Sequence, residues 1–396
     1  AFTVTYVSQV GLEPQWSTHP VTIEESAGTG FVKDFTGEFL YVHPDVSTNG
    51  LLAPVGISHV YNGVDMTASN PYGRGWTLSE ISRIEAGSAD GTAYYKYIDG
   101  DGTVHYYKDA EDGTYESEEN PRRRIHAAAG KRYLADLDSN ITTYFDDSGY
   151  PSKIVISANE DTEEAPSVTY TYGSNHRLER IDAPGRQSIR LTYDSGGYLE
   201  SVQHYAGSIG YKQVQLYYES GTNVLKQIQR ADGTSTYFTY DSSSRITQVK
   251  HSDRRYVQIS YTNGKAAELS VYASDDTLQH HLKMQYHFSH TVAITKYGSS
   301  TEELKRESIQ FDSHGRTVNI TNEKNQYALQ QYDGEHASWN QVHMKAAGSS
   351  NVHNLVKNGS AEYGTAHWSV NGEAGTTGSL ISADNTGAME KGMKCF

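Results

Sequence analysis

The chain has 396 residues and a formal net charge of −15, from 48 acidic and 33 basic side chains. This charge argues against a nucleic-acid-binding surface, and no apolar run is long enough to span a membrane. Only 36% of the residues are hydrophobic while 31 are tyrosine, which argues against a packed α/β enzyme and favours a sheet whose buried face carries amphipathic rings. The single cysteine, Cys395, excludes an internal disulfide.

The N-terminal segment, residues 1 to 30, contains one predicted strand at 2–7 and a Gly-Thr-rich linker at 27–30. Because the chain starts at Ala1 without methionine and shows no signal peptide, we expect it to be a piece of a longer protein.

Residues 31–140 are predicted to form strands joined by tight turns. Trp76 follows a glycine and is predicted to be a large wedge where the first strands meet, and Asn62-Gly63 is a hairpin turn signal. Further on, Asp90-Gly91, Asp101-Gly102 and Asp112-Gly113 each place a turn directly before an aromatic strand.

A repeat occupies residues 141–345. Aromatic residues close the first strand of each copy at intervals of 21 to 27 residues, at Phe145, Tyr172, Tyr193, Tyr218, Tyr240, Tyr261, Tyr286, Phe311 and Tyr332. We call these nine residues the anchors. A period of this length predicts a stacked array of supersecondary units.

The copy at 188–204 shows what each unit is. Ile189, Leu191 and Tyr193 alternate with polar residues, as in a strand with one buried face, and the turn that follows is rich in Asp and Gly. Leu199 and Val202 then open a second strand but are three residues apart, so a regular strand would place them on opposite faces. The pattern predicts a β-hairpin with a bulge, or with Leu199 still in the turn.

These units resemble the tyrosine-aspartate (YD) repeats of the Rhs family. The resemblance is carried by the runs at 193–199, 240–246 and 311–316, with a poorer copy at 145–150. It implies an all-β fold of consecutive antiparallel hairpins, forming a curling spiral sheet that is part of an Rhs-type shell around a polypeptide cargo, in this family a toxin domain. The repeats are too few to close such a shell.

Three other segments resemble parts of the same architecture. Residues 1–30 are similar to the tail of an upstream β-sandwich domain with its linker, as in the wall-associated Gram-positive branch of the family, and 31–140 resemble the family's lead-in region. The array at 141–345 then leads into 346–396, which resembles the start of a carbohydrate-binding β-sandwich. That last segment is too short to close two sheets alone.

No catalytic, cofactor-binding or metal-binding residues are predicted. His280, His281, His287 and His290 cluster in sequence. His281 and His287 share strand parity but His290 does not, which favours ordinary strand and loop histidines over a metal site. The run 99–102 resembles a calcium loop without its closing acid, and we interpret it as a hairpin turn.

The basic run 122–124 follows Glu116, Glu118 and Glu119, so a salt-bridged loop is favoured over an anion site. The short sequons at Asn140, Asn319 and Asn358 arise easily by chance, and we expect them to be unmodified.

The sequence therefore predicts a non-enzymatic structural scaffold of a secreted or cell-wall bacterial protein for toxin delivery or cell contact. Its expected partners are a polypeptide cargo or the rest of the shell, without a cofactor, with self-association through exposed edge strands. Two alternatives stay open. One is a glycan-binding module that uses an exposed Tyr- and Trp-rich face. The other is an enzyme acting on surface polysaccharide, which requires clustered carboxylates or a Tyr-His-Arg set with perturbed pKa values.

Overall fold

A computed structural model gives the structure of residues 12, 16–48 and 55–353, with gaps at 90, 118–119, 121, 129, 158–164, 288–289, 314, 325, 334–335 and 346–350, and of two short strands near the C-terminus. Among these residues no helix is both long and apolar enough to cross a membrane. The predicted strand at 2–7 and most of the predicted C-terminal module lie outside the described residues. The division into four segments remains a prediction.

The first sheet has five antiparallel strands in chain order. A single 3₁₀ turn, Glu25–Ala27, joins its first two strands. The strands are β1 (Thr18–Glu24), β2 (Gly28–Lys33), β3 (Phe39–Ser47), β4 (Gly56–Tyr61) and β5 (Trp76–Leu78). One face of this sheet is apolar because Tyr41, Ile57, Tyr61, Trp76 and Leu78 are all buried.

The second sheet is an open series of antiparallel hairpins in which each ladder joins a strand to the next one along the chain, and a second 3₁₀ turn, Ser174–His176, interrupts it. Its strands are β6 (Arg83–Ala89), β7 (Thr92–Ile98), β8 (Val104–Asp109), β9 (Thr114–Glu116), β10 (Arg123–Ala128), β11 (Lys131–Asp136), β12 (Ile141–Phe145), β13 (Pro151–Val155), β14 (Ser167–Tyr172), β15 (Leu178–Ala183), β16 (Gln187–Tyr193), β17 (Leu199–Ala206), β18 (Ile209–Tyr218), β19 (Leu225–Arg230), β20 (Ser235–Tyr240), β21 (Ile246–His251), β22 (Tyr256–Thr262), β23 (Lys265–Tyr272), β24 (Leu278–His287), β25 (Thr291–Tyr297), β26 (Glu303–Phe311), β27 (Thr317–Asn322), β28 (Tyr327–Asp333), β29 (His336–Lys345) and β30 (Asn351–His353).

Two further strands, β31 (Ala383–Asp384) and β32 (Lys394–Cys395), pair with each other. The predicted fold class, all-β with consecutive antiparallel hairpins, is confirmed.

The predicted bulge is also confirmed. Tyr193 pairs with Leu199, but Thr192 pairs with Ser201, so the ladder skips Glu200. The extra residue turns both Leu199 and Val202 to the buried face, where each is 0% exposed. The same shift occurs at the neighbouring anchors, for example between Thr239 and Tyr240.

In the copies that carry the YD motif, its aspartate organises the turn before the bulge. The Asp194 carboxylate accepts the Tyr198 N–H at 2.9 Å, and the Gly197 N–H bonds to the Asp194 carbonyl. Asp241 holds the equivalent turn in the same way, accepting the Arg245 N–H at 2.9 Å. Three residues after each aspartate the backbone is left-handed, with φ of 83° at Gly197 and 62° at Ser244. A glycine adopts that conformation without steric cost, which explains why it recurs there.

The second sheet curves around the first. Tyr170 in β14 donates a hydrogen bond to Glu80, just after β5, and Glu307 in β26 bonds to His19 in β1. In a flat sheet β14 and β26 would lie about 58 Å apart, whereas the first sheet is only about 20 Å wide and up to about 30 Å long. Both contacts can therefore form only if β14–β26 wrap around the first sheet, as the predicted curl requires.

The strands before the repeat array form a roll of their own. Tyr97, Tyr107, Ile125 and Phe145 are among the residues of a separate small core built from β6–β12. The Ile84 N–H donates to the Gly149 carbonyl at 2.9 Å, which brings β6 against the turn after β12. We call this region, residues 83–145, the leading roll.

Candidate functional site

The anchor tyrosines link each hairpin to the one before it. In five successive repeats the anchor hydroxyl donates to a backbone carbonyl of the preceding hairpin at 2.7 to 3.0 Å. The pairs are Tyr193 to Leu178, Tyr218 to Leu199, Tyr240 to Leu225, Tyr261 to Ile246 and Tyr286 to Ala266. We call this series the tyrosine ladder.

Each acceptor carbonyl in the tyrosine ladder lies at a bulge. Leu178 pairs with Tyr172 at the register shift of its own hairpin, and Ile246 pairs with Tyr240 in the same way. A bulge interrupts the sheet's own hydrogen bonds, so a hydroxyl from the next repeat can satisfy the carbonyl there. Burial raises the pKa of Tyr193, Tyr240 and Tyr261, which keeps these hydroxyls protonated as donors.

Trp76 joins the two sheets. It is 1% exposed and its ring packs edge-on against Phe238 of the second sheet, with centroids 4.9 Å apart, and against Tyr61 of its own sheet at 5.5 Å. Its indole N–H donates to the Tyr240 hydroxyl at 3.0 Å, so it also meets the tyrosine ladder. The predicted wedge therefore lies between the sheets and touches both of them.

A buried polar cluster lies on the same face of the first sheet. His43 and His59 are opposite each other on β3 and β4, and their Nδ1 atoms bond to the two carboxylate oxygens of Asp45 at 2.8 and 2.5 Å. Because a carboxylate only accepts, each Nδ1 carries a proton. Burial lowers the pKa of His43. Burial alone would raise the pKa of Asp45, but the two histidines hold it at about 2.

Sequence reasoning missed this cluster. The only local signal was that Tyr41, His43 and Asp45 occupy alternate positions along one strand. This pattern did not indicate that His59 would pair with them. The Nε2 atoms of both histidines are buried and have no hydrogen-bond partner in the structure. The described residues nevertheless contain no group of three or more His, Cys, Asp or Glu side chains arranged to hold a metal ion.

A second polar contact joins β1 to β26. The imidazole of His19 bonds to Asp34 at 2.7 Å and to Glu307 at 2.9 Å, and Lys305 pairs with Glu307 at 2.6 Å. Burial alone would lower the pKa of His19, but the two hydrogen bonds outweigh it and raise the pKa to about 9. The protonated ring therefore bridges two carboxylates at the edge of the interface.

The four clustered histidines do not converge. The ring of His281 stacks on Tyr297 on the outer face, with centroids 4.6 Å apart, and His280 lies beside Lys296. His287 and His290 line a cavity at the end of β24 instead.

The calcium-like run forms turn hydrogen bonds. Asp101 accepts the N–H and hydroxyl of Thr103 at 2.9 and 2.7 Å, as an aspartate does in a hairpin turn. Burial and the neighbouring Asp99 raise the pKa of Asp101 to about 6.

The arginines of the basic run are ion-paired. Arg122 contacts Asp138 at 2.6 Å, Arg123 contacts Asp136 at 3.4 Å, and Arg124 contacts Glu116 at 3.0 Å. The predicted ion pair with Glu116 is present, but it joins strands β9 and β10, because Arg123 and Arg124 lie in β10 and not in a loop. Glu118 and Glu119, the other predicted partners, lie outside the described residues.

A Tyr-His-Arg set, as the polysaccharide-enzyme alternative requires, occurs in the leading roll. The ring of Tyr97 is 6.0 Å from that of His105, and the Arg123 guanidinium lies 5.3 Å from the Tyr97 centroid. Burial raises the pKa of Tyr97 to about 12. Tyr97 and His105 are 9% and 6% exposed, so this set is packed into the core of the roll.

Comparison with known proteins identifies distant relatives. The chain is 25% identical over 240 residues to a tRNA3(Ser)-specific nuclease WapA of Bacillus spizizenii and to a tRNA nuclease WapA of Bacillus subtilis. The matched stretch is 60% of this chain but only 9% of each relative, so the chain spans a small part of their length. No family model matches the chain.

Among solved structures, a TcdB2-TccC3-Cdc42 complex aligns with 82% of this chain and 19% of its own, at 11% identity and a TM-score of 0.29. A porin-like protein from Bacteroides uniformis covers 50% of this chain and 88% of its own, at 11% identity and a TM-score of 0.25.

The relatives correct one prediction. The sequence predicted a protein without enzymatic activity, but the relatives are named as tRNA nucleases, so that prediction is wrong for the class of protein to which the chain is related. The match and the hairpin array together support an Rhs-type scaffold. By its similarity over 240 residues, the chain is a distant relative of the WapA proteins, which confirms its resemblance to the Rhs, YD-repeat family.

Proposed function

We propose that this chain is a wall segment of a shell that encloses a polypeptide cargo, in a secreted or cell-wall bacterial protein for toxin delivery. The tyrosine ladder carries this proposal, because each hairpin depends on the one before it for a hydrogen-bond partner. Such an array extends by adding hairpins and is stabilised by nearest-neighbour contacts. The names of the relatives suggest a tRNA-cleaving domain as the class of cargo.

The curvature of the array also supports the proposal that the chain is part of a shell wall. The array bends far enough to enclose the first sheet, with aliphatic residues such as Ile189, Val202 and Ile228 on the inner face. A longer array of the same curvature would surround a larger volume. The first sheet would then seat the early repeats, and the later repeats would face the cargo.

Limited proteolysis of the intact protein that carries this chain tests the proposal. We expect the array and a C-terminal cargo region to survive together at a protease concentration that digests the isolated cargo region. Trp76→Ala should loosen the wall and release the cargo to the protease, whereas Tyr237→Ala, at an exposed outer-face position, should behave as the wild type. Digestion of the cargo in the wild-type protein at the rate of the isolated region would refute enclosure.

A second candidate function is glycan binding on the outer face. Tyr217 of β18 and Tyr237 of β20 are each 42% exposed and lie in one cross-strand row on either side of Gln227, and the two faces of a tyrosine ring can stack on sugar rings. Affinity electrophoresis in gels containing cell-wall polysaccharide separates this function from the first. We expect retardation that is lost in the Tyr217→Ala, Tyr237→Ala double variant but kept in Leu304→Ala. Migration unaffected by the polysaccharide would remove this candidate.

A further inference from the structure

Two successive repeats among those that depart from the YD pattern meet at one place. His287 stands at the position of the motif's aspartate, and His290, three residues later, occupies the left-handed position with φ of 50°. This hairpin has no bulge, since Tyr286 pairs with Val292 and His287 with Thr291 in continuous register. The preceding repeat is one residue short, which places Lys265 directly after an Asn-Gly turn.

These departures open a cavity of about 320 Å³ between the two sheets. The turn between β2 and β3 covers one side of it, held by a 2.8 Å hydrogen bond from the Ala266 N–H to the Gly37 carbonyl. The volume falls within the range of small-molecule pockets, about 300 to 1,000 Å³. The cavity therefore has a defined wall and a size that suits a ligand of one ring and a few polar atoms.

Aromatic rings form the apolar part of the cavity. Phe35 packs edge-on against Phe311 and His290, with centroids 5.4 and 5.5 Å apart, and Tyr286 lies on another side. The Tyr286 ring is fixed by its place in the tyrosine ladder. Such walls favour a flat aromatic group, which prefers edge-on or offset contact with other rings.

The polar part of the cavity favours an anion. The Lys265 ammonium lies 4.7 Å from the Tyr286 centroid and 3.4 Å from the Phe35 carbonyl, and it interacts electrostatically with Glu38. The Asp34 carboxylate is already bonded to Ser17 and His19. The cavity lining holds one lysine and one aspartate, Lys265 and Asp34, and the charge of Asp34 is offset by its 2.7 Å contact with the protonated His19.

We propose that this cavity binds an aromatic carboxylate, with the ring among Phe35, Tyr286 and Phe311 and the carboxylate on Lys265. His287 and His290 would add donors at the mouth. The inference does not rest on the proposed shell function. The same chemistry occurs in a free aryl acid and in a peptide that ends in an aromatic residue.

Titration calorimetry with three matched probes tests the ligand class. N-Acetyl-L-phenylalanine has both the ring and the carboxylate, its primary amide lacks the charge, and N-acetyl-L-alanine lacks the ring. We expect the first probe to bind at least about tenfold more tightly than either of the others. No heat at millimolar concentrations of the first probe, or equal affinity for its amide, would overturn the proposal.

Two variants place the binding in this cavity. Lys265→Met keeps the alkyl stem and removes the charge, and should weaken the first probe at least about tenfold, while Lys283→Met, on the exposed outer face of the next strand, should leave it unchanged. His287 is exposed, so His287→Ala, expected to weaken binding by about threefold, keeps the test valid if Lys265→Met fails to fold. Binding that neither variant weakens would place the ligand elsewhere and refute the site.

The source of the ligand is settled with the same wild-type protein. The tripeptide Ala-Ala-Phe and 3-phenylpropionate share the ring and the carboxylate, and both should bind. Tighter binding of the tripeptide identifies a polypeptide C-terminus as the ligand, and tighter binding of 3-phenylpropionate identifies a free aryl acid. Failure of both to bind overturns the proposal without affecting the shell function.

Discussion

The leading roll and the repeat array bury their apolar side chains in different ways. The leading roll fills its own interior with large side chains, including Tyr97, Tyr107 and Phe145. The array presents mainly aliphatic residues, such as Ile189 and Ile246, and buries them against the first sheet. A roll of few strands can fill its interior with its own aromatic side chains. A long curved sheet with short inner side chains needs a second sheet to cover its apolar face.

This difference separates two sources of stability. Within the array, the tyrosine ladder joins neighbouring hairpins and sets their order. Across the interface, Trp76 joins the array to the first sheet, whereas the cluster of His43, Asp45 and His59 links β3 to β4 within the first sheet. We therefore expect changes at the interface to weaken the array more than the leading roll.

The largest expected effect comes from Trp76→Ala. The substitution removes a fully buried ring from between the sheets, and we expect the free energy of unfolding to fall by about 4 kcal/mol. Urea denaturation followed by fluorescence and circular dichroism measures this change. Tyr237→Ala, on the outer face, should stay within about 0.5 kcal/mol of the wild type, and an equal loss in both variants would contradict the role of the interface.

Asp45→Asn should have the next largest effect. The two Nδ1–H groups bond to different carboxylate oxygens, and in the amide one of these oxygens is replaced by an NH2 group that cannot accept, so one buried donor loses its partner and we expect a loss of about 2 kcal/mol. Denaturation of the variant, with exposed Asp147→Asn as control, measures it. A variant as stable as the wild type would show that the cluster contributes no net stability to the first sheet.

Removing one hydroxyl from the tyrosine ladder should cost less. Tyr261→Phe keeps the ring but leaves the Ile246 carbonyl without its 2.7 Å donor, and we expect a loss of about 1 kcal/mol. Tyr237→Phe is the matched control, since that tyrosine is on the exposed face of the array. If both changes have the same effect, the hydrogen bonds of the tyrosine ladder do not stabilise the array.

The smallest expected effect is a pH dependence at the edge of the interface. The pKa of His19 is raised to about 9, above its ordinary value of 6.5. The stability that His19 contributes to the folded state is therefore complete below pH 6.5 and is lost as pH rises through 9. The melting temperature of wild type should therefore fall more between neutral pH and pH 10 than that of His19→Gln. If the melting temperatures of the two proteins fall by the same amount, the bridge to Glu307 does not contribute to stability.

Much of the fold was predictable because its signals are local. The aromatic anchors, the Asp-Gly turns and the three-residue spacing of Leu199 and Val202 each reflect the backbone of a single hairpin, and the structure has the hairpin and its bulge. The pairing of His43 with His59 was not predictable, because it depends on the register of two strands and on the face that the array covers. The cavity at Lys265 had a local signal, the two irregular repeats, but its walls come from distant strands.

Hydrogen exchange in Trp76→Ala, compared with wild type, tests the central claim most directly. If the first sheet supports the inner face of the array, the amides of β15–β23 should lose protection while those of β6–β12 keep it. Equal loss in both regions, or unchanged protection of β15–β23, would contradict the claim that the array depends on the first sheet and the leading roll does not.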